Sequence, residues 1–123
     1  MSPIRVDFSQ ARNAIEVGPR RIVITDGEVK DSQSSPFPYI KWTAVVDEGE
    51  ADAGYKLRFN TSLNPSAAWK LKEFLEAVGE EIGDAKEMEI EITDIIGRSC
   101  IAIVEQDTYE GQIRNTVDSF RPA

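Results

Sequence analysis

The stretch YKLRFNTSLNPSAAWKLKEFLEAVG, residues 55–79, changes its period halfway along. Tyr55, Leu57 and Phe59 alternate with Lys56, Arg58 and Asn60, the repeat of a strand whose two faces meet different surroundings. From Asn64 the repeat is helical. Asn64 can accept from the first free N–H groups of a helix, and Pro65 has its φ preset for the next position. Ala67, Leu71, Phe74, Leu75 and Val78 then form one apolar stripe, and Gly79 suits the left-handed residue that follows a helix. The stretch therefore predicts a strand over 55–63 and a helix over 64–79.

Working outward, 20–30 reads as a first strand, with Ile22 and Ile24 on one face, Arg21 and Val23 on the other, and a bulge at Gly27. Gly18-Pro19 should break the chain before it. Residues 39–47 read as a second strand: Ile40, Trp42, Ala44 and Val46 on one face, Tyr39, Lys41, Thr43 and Val45 on the other. A polar, turn-rich loop over 31–38 exposes Phe37 between two prolines, and 48–54 is an acidic hairpin loop. After a loop at 80–87, Met88, Ile90 and Ile92 alternate as a short extended piece, and 93–97 reads as one capped helical turn. Residues 98–107 and 112–120 are strands four and five around a turn at 109–111, with Ile101 and Ile103 facing one way and Cys100, Ala102 and Val104 the other. The first 17 residues, with Ile4, Val6 and Phe8 alternating, are an N-terminal arm or extra strand. Three strands, a helix, then two strands is the order of an oligonucleotide/oligosaccharide-binding (OB) barrel. The expected fold is mainly β with one α-helix, an OB-like five-stranded barrel with the helix between strands 3 and 4. In that fold the face of strands two and three, with the loops joining strands 1–2 and 4–5, holds the ligand.

Composition narrows the function. The chain has 123 residues, 41% hydrophobic, enough for a single domain over 1–123 with one core. Residues 1–8 hold no apolar run of a signal peptide or anchor, and no stretch approaches transmembrane length, so a soluble, cytoplasmic protein is expected. Cys100 is the only cysteine, which excludes a disulfide framework and, between apolar neighbours, reads as a buried structural thiol. Histidine is absent, which removes the usual general base, the Ser–His and Cys–His pairs and the usual zinc sets. Asp26/Glu28, Asp47/Glu48 and Glu89/Glu91 pair carboxylates, but nothing supplies the rest of an acid–base or metal site, and they read as solvated. A non-enzymatic protein without metal or cofactor is expected. Net charge is −8, yet eight carboxylates against Lys86 alone give the 76–94 segment −7 of it, leaving a body close to neutral. Such a body can still bind phosphate through a local cationic face, because contacts act within a Debye length of about 8–10 Å.

Several pieces form a wider pattern: Val6-Asp7-Phe8, Pro38-Tyr39-Ile40, Ser62-Leu63-Asn64-Pro65 with Ala68-Trp69-Lys70-Leu71 and Phe74-Leu75, Ile96-Gly97-Arg98, and Arg114-Asn115 with Val117 and Phe120. In these the chain resembles a family of small phage and prophage proteins long catalogued as a domain of unknown function. The resemblance implies an OB-type fold and a single-stranded-DNA-binding or recombination-associated role. It also implies phage replication or recombination proteins as partners and the host cytoplasm as the compartment. Unlike cellular single-strand binders, the chain ends Ser119-Phe120-Arg121-Pro122-Ala123 with no acidic tail.

Single strands are held by cations that track phosphates and by rings on which bases stack. Lys41, Lys56 and Arg58 are expected on phosphates and Tyr39 on a base, with Arg21 and Lys30 from the neighbouring strand. Tyr109 and Arg114 would contribute from the last loop. Trp42, Tyr55 and Phe59 belong to core faces. Trp69 lies off the helical stripe, either covered by Val6 and Phe8 of the arm or presented to a partner. A homodimer would lengthen the groove. Two other readings stay open: an adaptor for a recombinase or nuclease using Trp69 or the acidic segment, and an anionic DNA mimic.

Overall fold

The computed structural model describes residues 3–5 and 14–123; Val6 and Phe8 lie outside the described residues. Five strands, β1 (Gly18–Lys30), β2 (Tyr39–Val46), β3 (Lys56–Ser62), β4 (Ser99–Tyr109) and β5 (Gln112–Pro122), form one antiparallel sheet in the order β3-β2-β1-β4-β5. The sheet is not closed into a barrel: β3 and β5 are its edges, and no ladder joins them among the described residues. The helical segment falls between β3 and β4, as expected. It is split into a 3-10 turn at Pro65–Ala67, then α1 (Trp69–Ala77), then the single turn α2 (Ile92–Ile95).

The long β1 holds the sheet together, pairing with β4 over Gly18–Val23 and with β2 from Ile22 to Lys30. Gly18 and Pro19 lie inside the strand rather than breaking it. The Arg21 C=O accepts from the Asp47 N–H and the Arg21 N–H is taken by Glu50, so Arg21 turns its backbone away from β4. Pro19, two residues earlier, faces that same side, beyond the end of β2, where a missing N–H breaks no ladder. Arg20 ties the start of β1 to the β2–β3 turn through Asp52 at 2.9 Å.

The bulge in β1 is at Thr25, not Gly27: pairing with β2 shifts between Ile24 and Asp26. Strict alternation after Ile22 and Ile24 would aim Asp26 and Glu28 into the core. The extra residue turns them outward and brings Gly27 inward, opposite Trp42. A Cβ on Gly27 would stand 2.8 Å from the Trp42 ring and from the Ile92 side chain, so this glycine makes room for an indole.

The core lies between the curled sheet and α1. Phe74 enters from the helix, 4.9 Å from Trp42, 5.1 Å from Phe59 and 5.0 Å from Phe120, ring centre to ring centre. Burying a ring of this size contributes roughly 1.5–3 kcal/mol. Trp42, Tyr55 and Phe59 are core residues, as their alternation indicated. The Trp42 indole N–H donates to the hydroxyl of buried Thr61 at 2.9 Å, satisfying both. Val117 and Phe120 are both buried although three residues apart, because a second register shift, against Ile103/Val104, inserts Asp118.

The helix ends mostly follow the sequence. The Asn64 side chain accepts from the Ser66 N–H at 3.1 Å, and Gly79 adopts φ +101° after the last turn. Residues 88–91 form no strand; Ile92 starts α2, and that turn has no side-chain cap. Arg98 reaches back to Glu80 at 2.7 Å and to the Val78 carbonyl, fixing the C-terminal end of α1. No helix of the described residues is long and apolar enough to cross a membrane.

Candidate nucleic-acid interface

Residues opposite one another in an antiparallel ladder share a face. The outward face of β1, β2 and β3 is therefore built in rows: Lys30–Tyr39–Ser62, Glu28–Lys41–Asn60, Asp26–Thr43–Arg58, then Val23–Val45–Lys56. Rows two residues apart make this face about 20 Å long. Lys41, Lys56 and Arg58 lie on it together, as the sequence predicts. The 31–38 loop, with exposed Phe37, bounds it at the Tyr39 end, and the β4–β5 hairpin stands at the Lys56 end.

The charge on this face is graded. The bulge at Thr25 puts Asp26 and Glu28 beside the candidate cations. Lys30 pairs with Glu28 at 3.3 Å and Arg21 with Asp47 at 2.9 Å, so these two candidates are locally neutralised. Lys41 faces Glu28 across the ladder without forming an ion pair. Carboxylates thus line β1, while β3 presents Lys56, Arg58, Asn60 and Ser62 outward and no carboxylate. Arg58 is exposed and makes no ion pair among the described residues.

The positive side continues past β3 across the open edge of the sheet. Between β3 and β5 lies a cleft of about 480 Å³, lined on one side by Lys56, Arg58 and Asn60 and on the other by Arg114, Asn115 and Thr116. Beyond the cleft, Phe59 of β3 and Phe120 of β5 pack together, 4.8 Å between ring centres. There α1 covers the edge of β5: Lys70 donates to the Val117 carbonyl at 2.9 Å, and the Phe120 N–H donates to Glu73 at 3.0 Å. β5 borders the cleft at Arg114, Asn115 and Thr116, before the part that α1 covers.

Arg114 lies over the Tyr109 ring, 4.5 Å from its centre, and 3.6 Å from Asp107 in a half-exposed pair. Such a surface pair is worth at most about 1 kcal/mol and yields readily to a phosphate. Tyr109 is 55% exposed, leaving ring surface for a base, with the guanidinium fixing its orientation. Tyr39 is half-buried on the outward face beside Lys30, in the row at the opposite end of the face from Lys56, and does not line the cleft.

The structure thus brings Lys56, Arg58, Arg114 and Tyr109 to one end, leaves Lys41 on the adjoining face, and puts Arg21, Lys30 and Tyr39 among carboxylates or at the opposite end. Sequence reading missed Asn115 and Thr116 as cleft residues. Asn115 has a structural task as well. Its side chain accepts from the Ile15 N–H at 2.8 Å and donates to the Ile15 carbonyl at 2.9 Å, holding buried Ile15, which belongs to no strand. The Arg114-Asn115 pair was the only sequence signal for this side of the cleft.

Elsewhere, Cys100 is buried, and burial pushes its thiol from an ordinary 9.0 up to about 12, leaving it protonated. Among the described residues no three His, Cys, Asp or Glu side chains converge as metal ligands would. In comparisons with known proteins, no family model matches the chain and no curated protein does.

Proposed function

We propose that the protein is a non-enzymatic, largely sequence-independent binder of single-stranded DNA, built as an OB-like, partly open barrel whose gap between β3 and β5 carries the ligand. The observation that carries this reading is the cleft flanked by Lys56 and Arg58 on one edge and Arg114 over Tyr109 on the other. Phosphates would lie along the cations, Lys41 extending the track on the β2 face, while a base stacks on Tyr109. A cleft of this size accepts a small ligand or a short run of one strand, which favours unpaired nucleic acid over duplex. The order of strands and helix, and the resemblance to the phage family, favour a role in phage DNA replication or recombination.

The test is a titration of labelled single-stranded DNA, duplex DNA and RNA by fluorescence anisotropy. Single-stranded DNA should bind best. With three or four phosphate contacts the logarithmic salt slope is about −2 to −3, so raising salt fourfold should weaken binding roughly 20- to 50-fold. Absence of binding to any of the three ligands would reject the proposal in favour of an adaptor or DNA mimic.

A further inference from the structure

The cleft between β3 and β5 has a floor and a closed end. Buried Tyr55 and Leu57 form the floor. Toward α1 the gap between the two strands is filled. Phe59 packs on Phe120 there, and α1 holds the Val117 carbonyl through Lys70 and the Phe120 N–H through Glu73. A polynucleotide laid along β5 from Arg114 passes Asn115 and Thr116 and then meets the helix. A strand that continues in both directions has to double back at that point. A strand that ends there does not.

Charge points the same way. The polar side chains that line the cleft include three cations, Lys56, Arg58 and Arg114, and no carboxylate. Asp107 approaches from β4, outside the lining, in its pair with Arg114. Three cations less Asp107 leave the group at +2. An internal phosphodiester brings one negative charge. A terminal phosphomonoester brings about 1.5 to 2, with three strong acceptor oxygens, and charge-assisted bonds to guanidinium are the strong ones. Asn115 is wall rather than donor, because its amide is committed to the Ile15 and Glu105 carbonyls. Tyr109, under the Arg114 guanidinium, offers its exposed ring to the base of the same nucleotide. We propose that the cleft captures a terminal phosphate of single-stranded DNA on Arg58 and Arg114, the rest of the strand leaving over Lys41 on the β2 face. This rests on the single-stranded-DNA reading and deepens it: the protein would prefer the ends of strands to their interiors.

The test compares, by anisotropy, internally labelled oligonucleotides of one sequence: phosphorylated at the 5′ end, phosphorylated at the 3′ end, hydroxyl at both ends, and covalently closed into a circle. One of the phosphorylated forms should bind about tenfold or more tighter than the hydroxyl form and the circle. Arg58→Gln/Arg114→Gln alters two exposed side chains and should bring all these ligands within about threefold of one another, while Arg21→Gln/Lys30→Gln keeps the preference. Thymidine 5′-monophosphate should compete at least about tenfold less well than the preferred oligonucleotide, since it lacks the strand that runs over Lys41. Equal binding of the circle and the phosphorylated forms would overturn the proposal and leave the single-strand reading standing. Absence of binding to every oligonucleotide would remove both. A preference for phosphorylated ends that survives in Arg58→Gln/Arg114→Gln would put the end site elsewhere, and equal competition by the mononucleotide would make the cleft a site for free nucleotides. Either result overturns the assignment to a strand end.

Discussion

Thr25 and Gly27 show how single residues set the surface chemistry. The bulge at Thr25 keeps Asp26 and Glu28 out of the core and, in doing so, places them beside Lys41 and Lys30. Gly27 was legible as an irregularity but not as a packing position, because the indole it accommodates comes from Trp42 on another strand. Cys100, by contrast, was readable from its apolar neighbours. Its thiol stays protonated in the fold up to about pH 12, while the unfolded chain releases that proton above pH 9.0. A folded-state pKa raised in this way gives stability that is complete below pH 9.0 and lost as pH climbs toward about 12. Urea denaturation of Cys100→Ala should therefore show a shallower alkaline loss than the native chain. The difference should reach about 2 kcal/mol when pH is raised roughly 1.5 units above the ordinary thiol value. Identical alkaline losses in the two proteins would contradict it.

At the scale of elements, strands with a clear alternation were legible: β2 and β3 bury the faces their period indicates. Elements set by long-range contact were not. The break expected at Gly18-Pro19 is absorbed because that stretch needs partners on one side only, and 88–91 has no neighbouring strand to pair with. The β4–β5 hairpin turns through Glu110 and Gly111, with φ of +50° and +79°, the two positive angles of a type I′ turn. Glutamate in the left-handed region costs about 1–2 kcal/mol, and asparagine tolerates it better. Glu110→Asn should raise stability by up to about 1 kcal/mol, a rise of about 3–6 °C in the melting temperature for a domain of this size. An unchanged or lower melting temperature would contradict the strain assigned to this turn.

Across the whole molecule, charge is segregated rather than balanced. The 76–94 segment holds −7 of the −8, carboxylates line β1, and Lys56, Arg58 and Arg114 gather at the β3–β5 opening. The sequence revealed that cations shared one strand face. It could not reveal that Arg21 and Lys30 are paired, nor that Arg114, more than fifty residues from Arg58, faces it across a cleft. Those relations depend on the curl of the sheet and on side-chain reach between strands. The most direct measurement compares single-stranded DNA affinity of Arg58→Gln/Arg114→Gln with that of Arg21→Gln/Lys30→Gln, two variants with the same change in net charge. Each lost charge-assisted contact is worth about 1.5 kcal/mol. The cleft pair should therefore weaken binding about 100-fold, and Arg21 and Lys30, which line β1 and not the cleft, less than about threefold. Equal losses would mean that affinity follows total charge, and no loss in the cleft pair would mean that the opening between β3 and β5 is not the binding site.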